Sequence, residues 1–181
     1  MIIQQNTEKI IQEAVSLAQS YIGTKEEPKG SNRGVGIDAI QKTFGFKGVQ
    51  YCALFAQYVY KAITLIYHIP FLMPGTASSQ TLYGWAKNNG YACNDFSKIA
   101  VGDIVIWRKF KLWQGHVGIV VSVNHDKQYF ETVEGNTANS DFGDQRDGDG
   151  IYRRKRYMRK QDFVVDAFYL RGFIQMRKVF K

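Results

Sequence analysis

After Gly102 the hydrophobic pattern of this chain changes period, and that change restricts the folds open to it. Upstream, apolar residues recur at helical spacing: Ile10, Ile11, Ala14, Leu17, Ala18, Tyr21 and Ile22 mark one face of a helix over 7–22, with Gly23 as its stop. "IDAIQKTFGF" predicts a short second helix. Residues 52–65 predict a third, apolar nearly all round and so buried. "SSQTLYGWAKNNG" predicts a fourth, with Ser78 or Ser79 as cap and Gly90 as terminator. Downstream come short β-branched or aromatic runs: "DIVIW", "HVGIVVSV", "YFETVEG", "GIYRRKRYM" and "DAFYLRGFIQM". The second and third are joined by the turn-forming "NHDKQ". Helices first and locally connected strands after them predict an α+β fold with an antiparallel sheet, not a doubly wound one.

At 181 residues, 45% hydrophobic and 14% aromatic, the chain reads as one globular domain spanning 1–181, without repeats, low-complexity tracts or a linker. Two cysteines exclude a disulfide framework, and both are expected reduced. The first residues lack the basic start and unbroken apolar core of a secretory signal. "AITLIYHIPFLMPG" is broken by His68, Pro70 and Pro74 and is too short to span a bilayer. The expectation is synthesis in the cytoplasm without a signal peptide and no membrane insertion. Any action outside the cell then needs another delivery route.

The net charge of +8 is concentrated. Residues 151–160, "IYRRKRYMRK", hold six basic side chains and no acid, which leaves the rest of the chain at only +2. Such a strip suggests contact with a polyanion: nucleic acid, anionic lipid or a cell-wall polymer. A solvated strand with no partner is the competing reading.

Cysteine is among the most buried residue types, so Cys52 in "VQYCALFAQYVY" reads either as core or as a reactive thiol. A nucleophilic thiol needs a route to thiolate, a base, and a group to orient the base. Cys52 falls where the third helix should begin, where backbone N–H groups and the helix dipole favour thiolate and an oxyanion. Of three histidines, His125 lies in a hairpin turn and His68 precedes "IP" at a helix exit; His116 opens the apolar strand "HVGIVV". The next strand supplies Glu131, Glu134 and Asn136, and period-two alternation puts Glu134 and Asn136 on one side.

"YCALF" at a helix start, followed in order by "GDIVIW", "QGHVGIV" and "VEGN", resembles the CHAP family of cysteine amidases and endopeptidases, part of the papain-like group that includes the NlpC-type wall peptidases. The resemblance runs over about residues 15–175. It implies a papain-like fold, with N-terminal helices packed on an antiparallel sheet, and cleavage of an amide bond in peptidoglycan. That bond is the muramoyl–L-alanine link or one in the stem peptide or cross-bridge. By position it makes Cys52 the nucleophile, His116 the base and Glu134 the orienter, with Asn136 as a further polar residue of the site. Gln50 is the candidate second oxyanion donor, and Tyr51, Trp107 and Trp113 are candidates for the cleft wall.

Two departures stand out. Tyr51 replaces the tryptophan that many members carry before the cysteine. "KTFGFKGVQ" has none of the carboxylates by which some members bind calcium, so no metal and no cofactor is expected. The acidic stretch "DFGDQRDGDG" lacks the ligand spacing of a calcium loop. Cys93 sits in no motif. The implied setting is a phage lysin released through a holin, or an interbacterial effector with a secretion machine and an immunity protein as partners. The rival reading is a non-catalytic module that binds nucleic acid or another polyanion through 151–160. It contains no nucleic-acid motif and leaves the Cys–His–Glu order without a purpose.

Overall fold

The structure is a computed structural model. It describes residues 2–110, 112–139, 148–158, 161–163 and 168–181, with only the backbone described at 2–5 and 161–163. Four helices come first: α1 (Ile2–Ser20), α2 (Val35–Lys42), α3 (Cys52–Ile66) and α4 (Ser79–Asn88). Strands β1 (Ala92–Cys93), β2 (Ile104–Lys109), β3 (Gly115–Asn124), β4 (Tyr129–Thr137), β5 (Gly150–Tyr157), β6 (Gln161–Phe163) and β7 (Phe168–Ile174) follow, and α5 (Met176–Val179) comes last. The α+β order expected from the change of period is the observed one.

The strands form one antiparallel sheet in the order β1-β7-β2-β3-β4-β5, with β6 paired to β7 off this path. The hairpins β2–β3 and β3–β4 set the register at the centre: Trp107 lies opposite His116, and Ile119 opposite Val133. Alternation sorts the sheet residues into two cores. Ile104, Ile106, Val117, Ile119 and Val133 face the helices, against Ile11, Leu54, Phe55 and Val59. Val105, Trp107, Val120 and Phe130 face the other side and pack with Phe168, Leu170 and Phe173. Both faces of β2 are therefore covered, which explains why "IVIW" is an unbroken apolar run and not an alternating one.

The "GD" before that run has a structural task. Asp103 is buried, and its carboxylate accepts from the backbone N–H of Ala100 (3.0 Å) and Met176 (3.1 Å), tying α5 to the start of β2. Burial pushes its pKa up to about 7, although those two bonds and Arg177 oppose the shift. The chain ends meet beside it. Thr7 donates to the Phe180 carbonyl at 2.9 Å, and Arg177 pairs with Glu8 at 2.6 Å.

Ser78 is the cap of α4, accepting from Thr81 N–H at 3.1 Å. The sequence pattern missed the first turn of α1, the strand β1 and the short α5. β1 has two residues paired to the distant β7, too few to show any period. Among the described residues no helix is long and apolar enough to cross a membrane.

Candidate active site

Cys52 is the first residue of α3. Its N-cap, Tyr51, makes no side-chain cap bond, and the first turn carries no acidic residue. The positive end of the helix and its unpaired N–H groups are left to the thiol and to any oxyanion formed beside it. The preceding segment is held by Gln41, which is fully buried. Its Nε2 donates to the Asn32 carbonyl (2.6 Å) and its Oε1 accepts from Val49 N–H (3.0 Å). Inside α3, Gln57 plays a similar part, accepting from Gly75 N–H at 2.9 Å and donating to the Thr76 carbonyl at 2.7 Å.

The first turn of α3 lies directly on β4. A Cβ at Gly135 would stand 3.0 Å from Phe55 Cβ and 3.2 Å from Tyr51 Cδ2, so a residue without a side chain permits this approach. It brings Cys52 beside the end of β4 that carries Glu134.

His116 is fully buried on β3, its ring 5.9 Å from that of Trp107. Nε2 lies 2.9 Å from Glu134 Oε2, and the Cys52 thiol is near enough to the ring to act on its pKa. With Nε2 turned to the carboxylate, Nδ1 is the nitrogen left for the thiol. Burial alone would pull the His116 pKa down. Hydrogen bonds and charges from Cys52 and Glu134 outweigh it and push the value up to about 9.

Glu134 is the hub. Besides His116, its carboxylate accepts from Thr132 Oγ1 and from both arms of Arg156, with Nε to Oε1 at 2.7 Å and Nη2 to Oε2. Burial would raise its pKa. The Arg156 charge and the bonds from His116 and Arg156 win, holding the carboxylate well below its usual range. Its path across β3 runs over Gly118, where a Cβ would come within 2.7 Å of Glu134 Cγ.

The structure thus brings Cys52, His116 and Glu134 together and corrects several neighbouring expectations. Asn136 is buried two residues on, but a register shift between Glu134 and Thr137 and a φ of 57° at Asn136 interrupt the alternation that was to align it with Glu134. The Glu134 carboxylate, not the Asn136 amide, holds Nε2. Tyr51 and Trp107 are fully buried and so do not form a cleft wall. The Tyr51 hydroxyl faces the Asn136 backbone and the Glu26 carboxylate; burial first, then Glu26, raises its pKa. Trp107 packs between His116 and Phe130. Trp113 is 72% exposed at the β2–β3 turn, and Gln50 is half-buried just before Tyr51. His68 and His125 are exposed. Cys93 is half-buried on the edge strand β1.

The basic strip is not a uniform cationic surface. Along β5 burial alternates, with Arg153 and Lys155 exposed and Arg154 and Arg156 only 6% and 5% exposed. Arg153 is paired with Glu131 at 2.6 Å, and the Lys155 ammonium sits 4.0 Å above the Tyr129 ring. The reading of 151–160 as a polyanion surface therefore loses two of its arginines to the interior. Arg159 and Lys160 lie outside the described residues, as does 141–147 of the acidic stretch. Sequence reasoning missed Arg156, Thr132 and Gly118. The only signal for Arg156 was period two within "YRRKR", which its charge disguised as a solvent face.

Comparison with curated proteins and with solved structures returned no match. A sequence model of the CHAP domain matches residues 42–136, just over half of the chain, from the end of α2 to the end of β4. The match takes in α3 with Cys52, β3 with His116 and β4 with Glu134, and the surrounding α+β arrangement is the papain-like one of that family. This chain belongs to the CHAP domain family, whose activity is of the peptidoglycan hydrolase and amidase type.

Proposed function

We propose that this protein hydrolyses one class of amide bond in peptidoglycan by thiol acyl transfer, with 1–181 as a single catalytic domain. The bond is the muramoyl–L-alanine link or one in the stem peptide or cross-bridge. The observation that carries this reading is the buried contact series Cys52–His116–Glu134 inside the span matched by the CHAP domain.

In the proposed reaction the Cys52 thiolate attacks the amide carbonyl carbon, and the C–N bond breaks as the His116 imidazolium gives its proton to the leaving amine. The carbonyl oxygen, negative in the tetrahedral intermediate, is held by the Cys52 N–H at the start of α3, with Gln50 as the second donor. Water then attacks the thioester, passing a proton to His116 and releasing the carboxylic acid. Glu134 keeps the ring in one tautomer and supports its positive form throughout. The mechanism uses no metal or cofactor. Made in the cytoplasm, the enzyme reaches the wall as a phage lysin released through a holin or as an injected effector.

Digestion of purified sacculi followed by mass spectrometry of the soluble products tests the reading. New L-alanine amino termini identify the amidase, and cut stem or bridge peptides identify the endopeptidase. Intact sacculi after prolonged digestion with alkylatable, folded protein contradict it.

A further inference from the structure

Arg156 stands outside the span matched by the CHAP domain, on β5, yet its guanidinium hydrogen-bonds Glu134 of the candidate triad. Its guanidinium is nearly enclosed. The fork takes both oxygens of Glu134, and Cζ lies 5.5 Å from the centre of the Trp107 ring. Trp107 in turn stacks towards His116 and Phe130, so the position of Arg156 is set by both a carboxylate and an aromatic face.

We infer that Arg156 is a positioning residue of the catalytic machinery, a built-in counterion that fixes the Glu134 carboxylate and sets the pH range over which Cys52 and His116 form their ion pair. The inference rests on the Cys52–His116–Glu134 reading above. Its physical content is a charge count. With thiolate, imidazolium, carboxylate and guanidinium present, the buried set is neutral. Without Arg156 it carries one net negative charge in a low-dielectric site, and every proton in the set is held more tightly. The charged or titratable groups concerned are Cys52 from α3, His116 from β3, Glu134 from β4 and Arg156 from β5. Arg154 is the other buried arginine of β5, and Tyr51 with Glu26 lies on the Asn136 side. The fork contributes a second, separable effect. Two parallel bonds define the plane of the carboxylate, and through it the ring of His116.

Charge and geometry are separated by two variants, Arg156→Met and Arg156→Lys, with Glu134→Gln/Arg156→Met as a charge-balanced pair. Two readouts are needed. The rate of Cys52 alkylation by iodoacetamide as a function of pH requires no substrate, and kcat on a soluble muropeptide substrate, which holds both the muramoyl–L-alanine link and the stem bonds, reports turnover. In Arg156→Met the thiol should become reactive about one pH unit or more higher, and kcat should fall at least about tenfold. Arg156→Lys keeps the charge and loses the fork, so its alkylation profile should stay near the parent's while kcat drops. The double variant should return the alkylation profile towards the parent, which loss of packing alone would not do.

Superposable alkylation profiles for folded parent and Arg156→Met overturn the inference. If Arg156→Met does not fold, Arg156→Lys decides, and a parental kcat overturns it. A parent whose Cys52 is alkylated but which opens no peptidoglycan amide contradicts the proposed function and leaves the role of Arg156 to the alkylation readout.

Discussion

Glu134 reaches His116 by lying across Gly118: a Cβ there would come within 2.7 Å of Glu134 Cγ and 3.0 Å of Thr132 Cβ. The carboxylate is held by His116, Thr132 and Arg156, so it is not a flexible end that swings away at little cost. Gly118→Ala is expected to cost about 1–3 kcal/mol as an overpacked site. It should also lower kcat by about tenfold or more, since sub-ångström displacement of an orienting group disturbs attack geometry. Thermal unfolding and steady-state kinetics on one soluble substrate check both numbers.

The pH dependence follows from His116. Its pKa is raised to about 9, so turnover should hold through neutral pH and fall as pH rises through that value and the imidazolium is lost. Stability has the same sign on the alkaline side. A raised histidine pKa stabilises the fold fully below its ordinary value of about 6.5 and loses that contribution as pH climbs through about 9. Glu134 acts in the opposite sense. Its depressed pKa stabilises the fold above the ordinary carboxylate value of about 4.5, and the contribution is lost on acidification. A pH–rate profile, with melting temperatures across the same range, should show the alkaline limbs in Glu134-intact protein. In Glu134→Gln the alkaline limb should move to lower pH.

Much of this is legible in the sequence, for definite reasons. The change from helical to strand period after Gly102 is a property of many residues and survives local exceptions. Cys52, His116 and Glu134 could be placed because each sits at the start of an element or in a hairpin neighbour, where pattern and position agree. Arg156 could not, because a buried arginine and an exposed one look alike until the carboxylate that compensates it is seen. Tyr51 and Trp107 were misplaced for a related reason: an aromatic at a strand or helix mouth fits core and cleft equally well. The alternation expected at Asn136 failed at a register shift, which resets the period without leaving a mark in composition.

Because β5 alternates, capture of an anionic wall should depend on its outer residues. Charge reversal at Arg153 and Lys155 should weaken binding to intact walls and flatten its salt dependence, with turnover of a small soluble muropeptide unchanged. Sedimentation of protein with walls across a salt series measures this. Equal binding by parent and variant at low salt removes these two residues from substrate capture.

Of the three aromatic residues expected at the cleft, Trp113 is the exposed one. Trp113→Ala should raise KM for polymeric peptidoglycan several-fold and leave kcat on a small fragment unchanged. Trp107→Ala should instead cost about 3–5 kcal/mol of stability, the usual penalty for emptying a large buried site. Kinetics on the two substrates and denaturant unfolding separate the residues.

The central claim is that Cys52 is the nucleophile and His116 its base, and the release of soluble muropeptides from purified sacculi tests it most directly. Cys52→Ala and His116→Ala, each shown to be folded, should release none above background, whereas Cys93→Ser, His68→Ala and His125→Ala should release them at close to the parent rate. Release by folded Cys52→Ala at the parent rate would contradict the account.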